Sequence, residues 1–212
     1  EQGFAGLASG FQLAREMIET HWDHLYPSPD EEGMATRIAP LNGLNGVDAE
    51  GTLIQPILSV PLFESDDGAR FAAWHAEQAA EVGRLDEDKA QSRIKAGAIS
   101  PAQIVAAVSC TPAPQLAASR ASILQAQQAF AELSDAMDRV MGGEPQPTTN
   151  IRSALDRCLS VLTHHAGDRI DQWLAENRQT HSGGATTVEA DESGTPAAAS
   201  GQMGDPVSMA IE

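Results

Sequence analysis

Residues 22–37 read Trp-Asp-His-Leu-Tyr-Pro-Ser-Pro-Asp-Glu-Glu-Gly-Met-Ala-Thr-Arg. Upstream of them, Phe4, Leu7, Phe11, Ala14, Met17, Ile18, Trp22 and Leu25 recur at three- and four-residue spacing. That is one apolar stripe of a helix over 4–25. Pro27 and Pro29 end it, because proline donates no backbone hydrogen bond and restricts the residue before it. Asp30 is predicted to cap a second helix, with Glu31 and Glu32 complementing its dipole. Met34, Ile38, Leu41 and Leu44 form that helix's apolar face, and Pro40 interrupts it with a kink or an early stop. Trp22, Tyr26 and Pro27 are expected to lock the first helix against the turn, and Asp30 to pair with Arg37. The same stretch, with His21 just before it, admits a second reading: His21, Asp23 and His24 as the metal ligands of a hydrolase.

Spacing decides between a corner and a metal site. Two histidines three apart share a helix face, but a catalytic zinc needs a third ligand and a general base. The zinc-protease pattern sets its histidines four apart with a glutamate after the first, and that pattern is absent here. Histidines near a helix C-terminus are otherwise explained by the dipole, which favours a cation there. His164 and His165 are neighbours about 100° apart around a helix and make no set. The chain has no nucleophile elbow, no phosphate-binding loop and no dinucleotide fingerprint. No catalytic residue, metal or cofactor is expected.

The formal net charge is -17, with lysine only at positions 89 and 95. Such a surface repels phosphate backbones and anionic membranes, so neither nucleic acid nor a membrane surface is an expected partner. No apolar run of about 18 residues is present, so no membrane insertion is expected. Cys110 and Cys158 show neither disulfide nor zinc spacing, and read as buried free thiols in a reducing, cytoplasmic compartment. The first residues, Glu-Gln-Gly-Phe, show neither an initiator Met nor a signal peptide. A fragment of a longer protein is the expectation.

Alanine, leucine, glutamine and glutamate favour helix, and alternating β-branched runs are nearly absent, so the predicted fold is all-α. Asn42-Gly43 and Asn45-Gly46 mark a turn. A short helix is expected over 48–59 despite Pro56, with a strand at 57–63 as the competing reading and Pro61-Leu62-Phe63 as a connector. A helix over 67–82 would turn Phe71, Trp74 and Val82 inward, and one from Asp86 to Ala96 would close on Gly97. Ser100-Pro101 opens the next helix, and Thr111-Pro112 repeats the device. Then comes a helix over about 114–141, with Leu116, Ile123, Phe130 and Met137 at seven-residue intervals, followed by Ala126, Leu133 and Val140. Asn150 is predicted to cap the last helix, whose seam is Ile151, Leu155, Leu159, Leu162, Ala166, Ile170 and Trp173. These two long helices should form an antiparallel hairpin within a domain spanning 1–178. Residues 179–212 read as a disordered acidic linker or tail, with five acids and no Lys or Arg over 181–212.

Gly3-Phe-Ala-Gly-Leu-Ala, Gly10, Leu13, Trp22, Leu25, Pro27, Asp30, Arg37 and Leu41, continued by Pro61-Leu62 and Gly68, resemble the N-terminal domain of the ImpA-related proteins, known as TssA, of bacterial type VI secretion systems. Ser100 to Pro112, the long helix, Gly142 and Pro147 extend the resemblance to about residue 175. The resemblance implies a non-enzymatic assembly component contacting baseplate, tail tube or sheath proteins. It also implies self-association mainly through a C-terminal domain beyond this chain, on which the subclass depends. Trp22, Leu25, Tyr26, Pro27, Asp30, Arg37, Leu41, Pro61 and Leu62 form its packing motif. A generic helical adaptor gripping an amphipathic helix is the remaining alternative.

Overall fold

The computed structural model describes residues 3–31 and 33–182. Its elements run α1 Gly3–His21, a 3₁₀ turn Trp22–His24, α2 Ala35–Asn45, α3 Ile54–Leu58, β1 Pro61–Glu64, β2 Arg70–Ala72, α4 Ala73–Gly83, α5 Glu87–Lys95, α6 Pro101–Cys110, α7 Ala113–Val140 and α8 Thr149–Ser182. The fold is all-α apart from one two-stranded sheet. The rest of the expected tail, 183–212, lies outside the described residues.

The long hairpin forms as its periodicity predicts. Leu116, Ile123, Phe130 and Met137 of α7 are all buried, as are Ile151, Leu155, Leu162, Ala166 and Ile170 of α8. Arg120 reaches Asp171 at 2.8 Å and Gln127 reaches Asp156 at 2.7 Å, so the two helices run antiparallel. α7 is the central rod, with α8 on one side and α1 on the other. The Phe11 and Phe130 rings meet at 4.9 Å between centroids, and Arg139 reaches Glu19 at 2.7 Å, so α1 runs parallel to α7. Arg15 adds an ion pair to Glu132. At such half-exposed sites the pairs contribute little, and buried apolar surface carries the packing.

α8 also receives α3, α4 and α6. Pro56 does no harm in α3, because it lies in a first turn whose amide protons have no helical partner. α5 and α6 form close to their expected ends. Ser100 accepts from the Gln103 backbone N–H, and the Gln103 side chain accepts from Ser100 N, a reciprocal capping box.

Five local expectations are corrected. Pro61-Leu62-Phe63 is not a connector but strand β1, and its partner β2 occupies 70–72 where a helix start was expected. Ser65 N–H donates to Ala69 O at 2.9 Å, and Gly68 at φ 81 turns the chain between the strands. The pair forms because Leu62, Phe63 and Phe71 all find burial. Trp74 is 38% exposed rather than inward, since α4 begins at Ala73 and not at 67. α2 continues through Pro40 to Asn45 instead of stopping. Thr111 does not cap the start of α7 but sits at the end of α6: it is buried, bonding Ala107 O at 2.8 Å and accepting from Glu64 N–H at 2.9 Å, which ties β1 to α6. Asn150 lies inside α8, and its amide donates to Asn45 O at 2.9 Å.

Asn45 performs the capping expected of Asn150. It is 3% exposed, and its side-chain oxygen accepts from Ile151 N–H at 3.0 Å. An orphan donor of the first turn of α8 is thus satisfied from a different helix. Asn42 adds a bond to Gln146 at 3.0 Å. The loop behind Asn45 allows no side chain at Gly46 or Gly51, where a Cβ would lie 1.9 Å from Ala49 O and 2.1 Å from Leu44 O respectively.

Candidate interaction site

The α1–α2 corner gathers most of the motif residues. α1 yields to the 3₁₀ turn at Trp22, and Leu25 N–H closes that turn on Trp22 O at 3.3 Å. The Tyr26–Pro27 peptide is cis. Asp30 and Gly33 form an isolated bridge, with Gly33 N–H on Asp30 O at 3.0 Å and Gly33 at φ 69. That positive φ is the left-handed region that glycine adopts without a steric penalty.

Arg37 holds this corner. It is only 8% exposed, and its guanidinium donates to Trp22 O at 2.9 Å and Pro27 O at 3.4 Å. The same group stands 5.4 Å from the centroid of the Trp22 ring. Trp22 O belongs to the carbonyl-rich end of α1, where a cation opposes the negative end of the helix dipole. A planar fork suits two carbonyls and an aromatic face at once, which an ammonium does not. The distant arginine of the motif therefore works on the backbone of the corner.

The other motif residues divide. Trp22, Leu25 and Leu41 are partly buried against the core, and Leu62 is fully buried in β1 beside exposed Pro61. Tyr26 is 86% exposed, so it cannot lock α1; the Trp22 ring and Arg37 do that work. Asp30 is not the cap of α2, which starts at Ala35 with Met34 in the cap position and no side-chain cap bond. Asp30 instead accepts the Thr36 hydroxyl at 2.6 Å, bracing the loop from outside.

The reactive side chains do not converge. His21, Asp23 and His24 are all exposed at the end of α1. Among the described residues, no group of three or more His, Cys, Asp or Glu side chains is placed to hold a metal ion. Burial pushes the Cys158 thiol up to about 12, and a hydrogen bond to Asp66 raises Cys110, so neither is poised as a thiolate near neutral pH. His165 sits edge-on to Phe63 and His164, and burial lowers its titration. Arg169, four residues on, turns to the Val108 and Thr111 carbonyls at the end of α6.

Sequence reasoning missed two residues and one turn that fix this geometry. Asn45 and Thr111 bond across elements and carry no local signature. Asp67-Gly68 between Phe63 and Phe71 was a usable signal, since Asp-Gly flanked by apolar residues marks a hairpin.

Corner and hairpin together define a packed helical module. Residues 1–46 match the family described as ImpA, N-terminal, type VI secretion system. Among curated proteins, the type VI secretion system component TssA1 of Pseudomonas aeruginosa is 29% identical over 174 residues, covering 82% of this chain and 48% of that protein. Among solved structures, the fold matches the N-terminal domain, including the conserved ImpA_N region, of the TssA component from Burkholderia cenocepacia. The TM-score is 0.68 at 22% identity, over 79% of this chain and 66% of that one. The chain thus resembles the ImpA-related N-terminal domain of the TssA family in its opening segment, along most of its length and in its fold. It spans about half the length of the curated relative it matches. Among the described residues, no helix is long and apolar enough to cross a membrane.

Proposed function

We propose that this chain is a TssA-like structural component of a type VI secretion system, acting in the cytoplasm through protein–protein contacts with baseplate, tail tube or sheath proteins. The observation that carries the proposal is where the family match falls. It covers α1, the corner and α2, which pack a scaffold and, among the described residues, gather no metal-holding cluster. The same segment leaves Leu13, Met17, Tyr26 and Met34 exposed. Exposed apolar side chains grouped on one segment mark a contact surface more readily than scattered ones do. We assign the docking of a partner to this group, with Arg37 fixing the corner behind it. Self-association of the longer protein is assigned to its C-terminal part.

The test is a pull-down with purified baseplate, tube and sheath proteins. Capture of at least one of them, lost in Tyr26→Ala or Met17→Asp at unchanged circular dichroism, is the expected result. Failure to capture any of them would favour a generic helical adaptor.

A further inference from the structure

The outward face of α1 lies opposite Phe4, Ala8, Phe11 and Ile18, and carries Ser9, Gly10, Leu13, Glu16, Met17 and Thr20. Leu13, 59% exposed, and Met17 stand one helical turn apart on it. One turn before Leu13, Gly10 leaves open space, with nothing within 4 Å of where a Cβ would lie. A helix laid along α1 can set an apolar side chain into that gap beside Leu13, as knobs enter holes.

The unpaired carboxylates around this face meet no free Lys or Arg. From residue 3 to 69 the only Lys or Arg are Arg15 and Arg37. Arg15 pairs with Glu19 and Glu132, and Arg37 is buried on backbone carbonyls. Arg139, on the neighbouring α7, is paired with Glu19. His21 and His24, both exposed, are the other basic groups of this stretch. Glu16 on the face, Asp23 just past its end and Glu31 beyond the corner are exposed and form no ion pair among the described residues.

These charges decide the occupant. A second copy would bring the same carboxylates face to face, the stretch 181–212 has five acids and no Lys or Arg, and nucleic acid is an anion throughout. We propose that the outward face of α1 binds a basic amphipathic helix of a partner protein, with its apolar side chains on Leu13, Met17 and the gap at Gly10, and its Lys or Arg beside Glu16 and Asp23. This partner class rests on the docking role given to the segment above.

The test is fluorescence anisotropy of the full chain with a labelled helical peptide of about 20 residues, leucine at heptad positions a and d and lysine elsewhere. Controls are the same peptide with glutamate for lysine, and a scrambled peptide of the same composition with no apolar face. The expected result is saturable binding, weakened about tenfold or more by Met17→Asp and by Gly10→Leu, with both controls about tenfold weaker or more. Met17→Asp adds a negative charge, so a purely electrostatic attraction would be strengthened by it. Gly10→Leu fills the gap without a clash and replaces a poor helix former, so its melting temperature should hold or rise. The proposal is overturned if the lysine peptide does not bind, if either control binds equally, or if Met17→Asp and Gly10→Leu leave its affinity unchanged. Peptide failure beside a pull-down that captures a secretion protein through Met17 removes the basic helix and leaves the docking role standing. Peptide binding beside a pull-down that captures none removes the secretion partners and keeps the basic helix on α1.

Discussion

The α7–α8 hairpin and the α1–α2 corner solve the problem of joining two helices in opposite ways. The hairpin uses two long seams of buried side chains, with its loop tied to α2 through Gln146. The corner uses one arginine laid on two backbone carbonyls and an indole ring, and leaves Tyr26 in solvent. Buried area scales with stability, so the hairpin holds the molecule together. The corner fixes direction, and so it sets what the first helix shows outward. The family match covers α1, the corner and α2, whose Phe4, Ala8, Phe11, Ile18 and Ile38 are themselves buried in the core.

The comparison breaks if hairpin truncations prove mild. Leu162 is fully buried, and Leu162→Ala should cost about 2–5 kcal/mol in urea unfolding, the largest effect here. Arg37→Ala removes the guanidinium bonds to the Trp22 and Pro27 carbonyls and should cost about 1–3 kcal/mol, with Arg37→Lys restoring less than half of the loss. Asn45→Ala removes the cross-element cap of α8 and should cost about 1–2 kcal/mol, with faster hydrogen exchange at Ile151 as its local signature.

A smaller effect comes from pH. Burial holds His75 and His165 below the ordinary histidine range. The unfolded chain therefore takes up protons near pH 6.5 that the folded chain resists. Stability from these groups is complete above about pH 6.5, and is lost as pH falls through their lowered folded values. His75 Nδ1 also accepts the Ala72 N–H at 2.9 Å, a bond that protonation removes. Glutamine keeps an acceptor without the titration. The urea midpoint of His75→Gln should therefore fall less between about pH 7.5 and 5 than that of the parent chain. The smallest effect belongs to Trp74→Ala, expected within about 0.5 kcal/mol, because its ring lies outward over His75.

What was legible in the sequence follows the same division. The hairpin could be read because a seven-residue repeat needs only one helix to be seen. Ser100-Pro101 and Gly97 could be read because their chemistry is local. The strands at 61–64 and 70–72 are too short for a period to show. Pro40 was read as a break, but tertiary bonds from Asn42 and Asn45 keep α2 helical beyond it. At the corner, the residue types that matter were visible while their roles were not. Arg37 acts on carbonyls fifteen and ten residues back, which no helical spacing announces.

The central claim, that the corner presents a contact surface while the hairpin supplies stability, is tested most directly by one paired measurement. Binding to purified baseplate, tube and sheath proteins is compared for Met17→Asp and Leu162→Ala, each beside its own melting curve. The account predicts that Met17→Asp loses binding with an unchanged melting temperature, while Leu162→Ala melts earlier yet binds normally below its transition. Binding that survives Met17→Asp, or that disappears in folded Leu162→Ala, would contradict it.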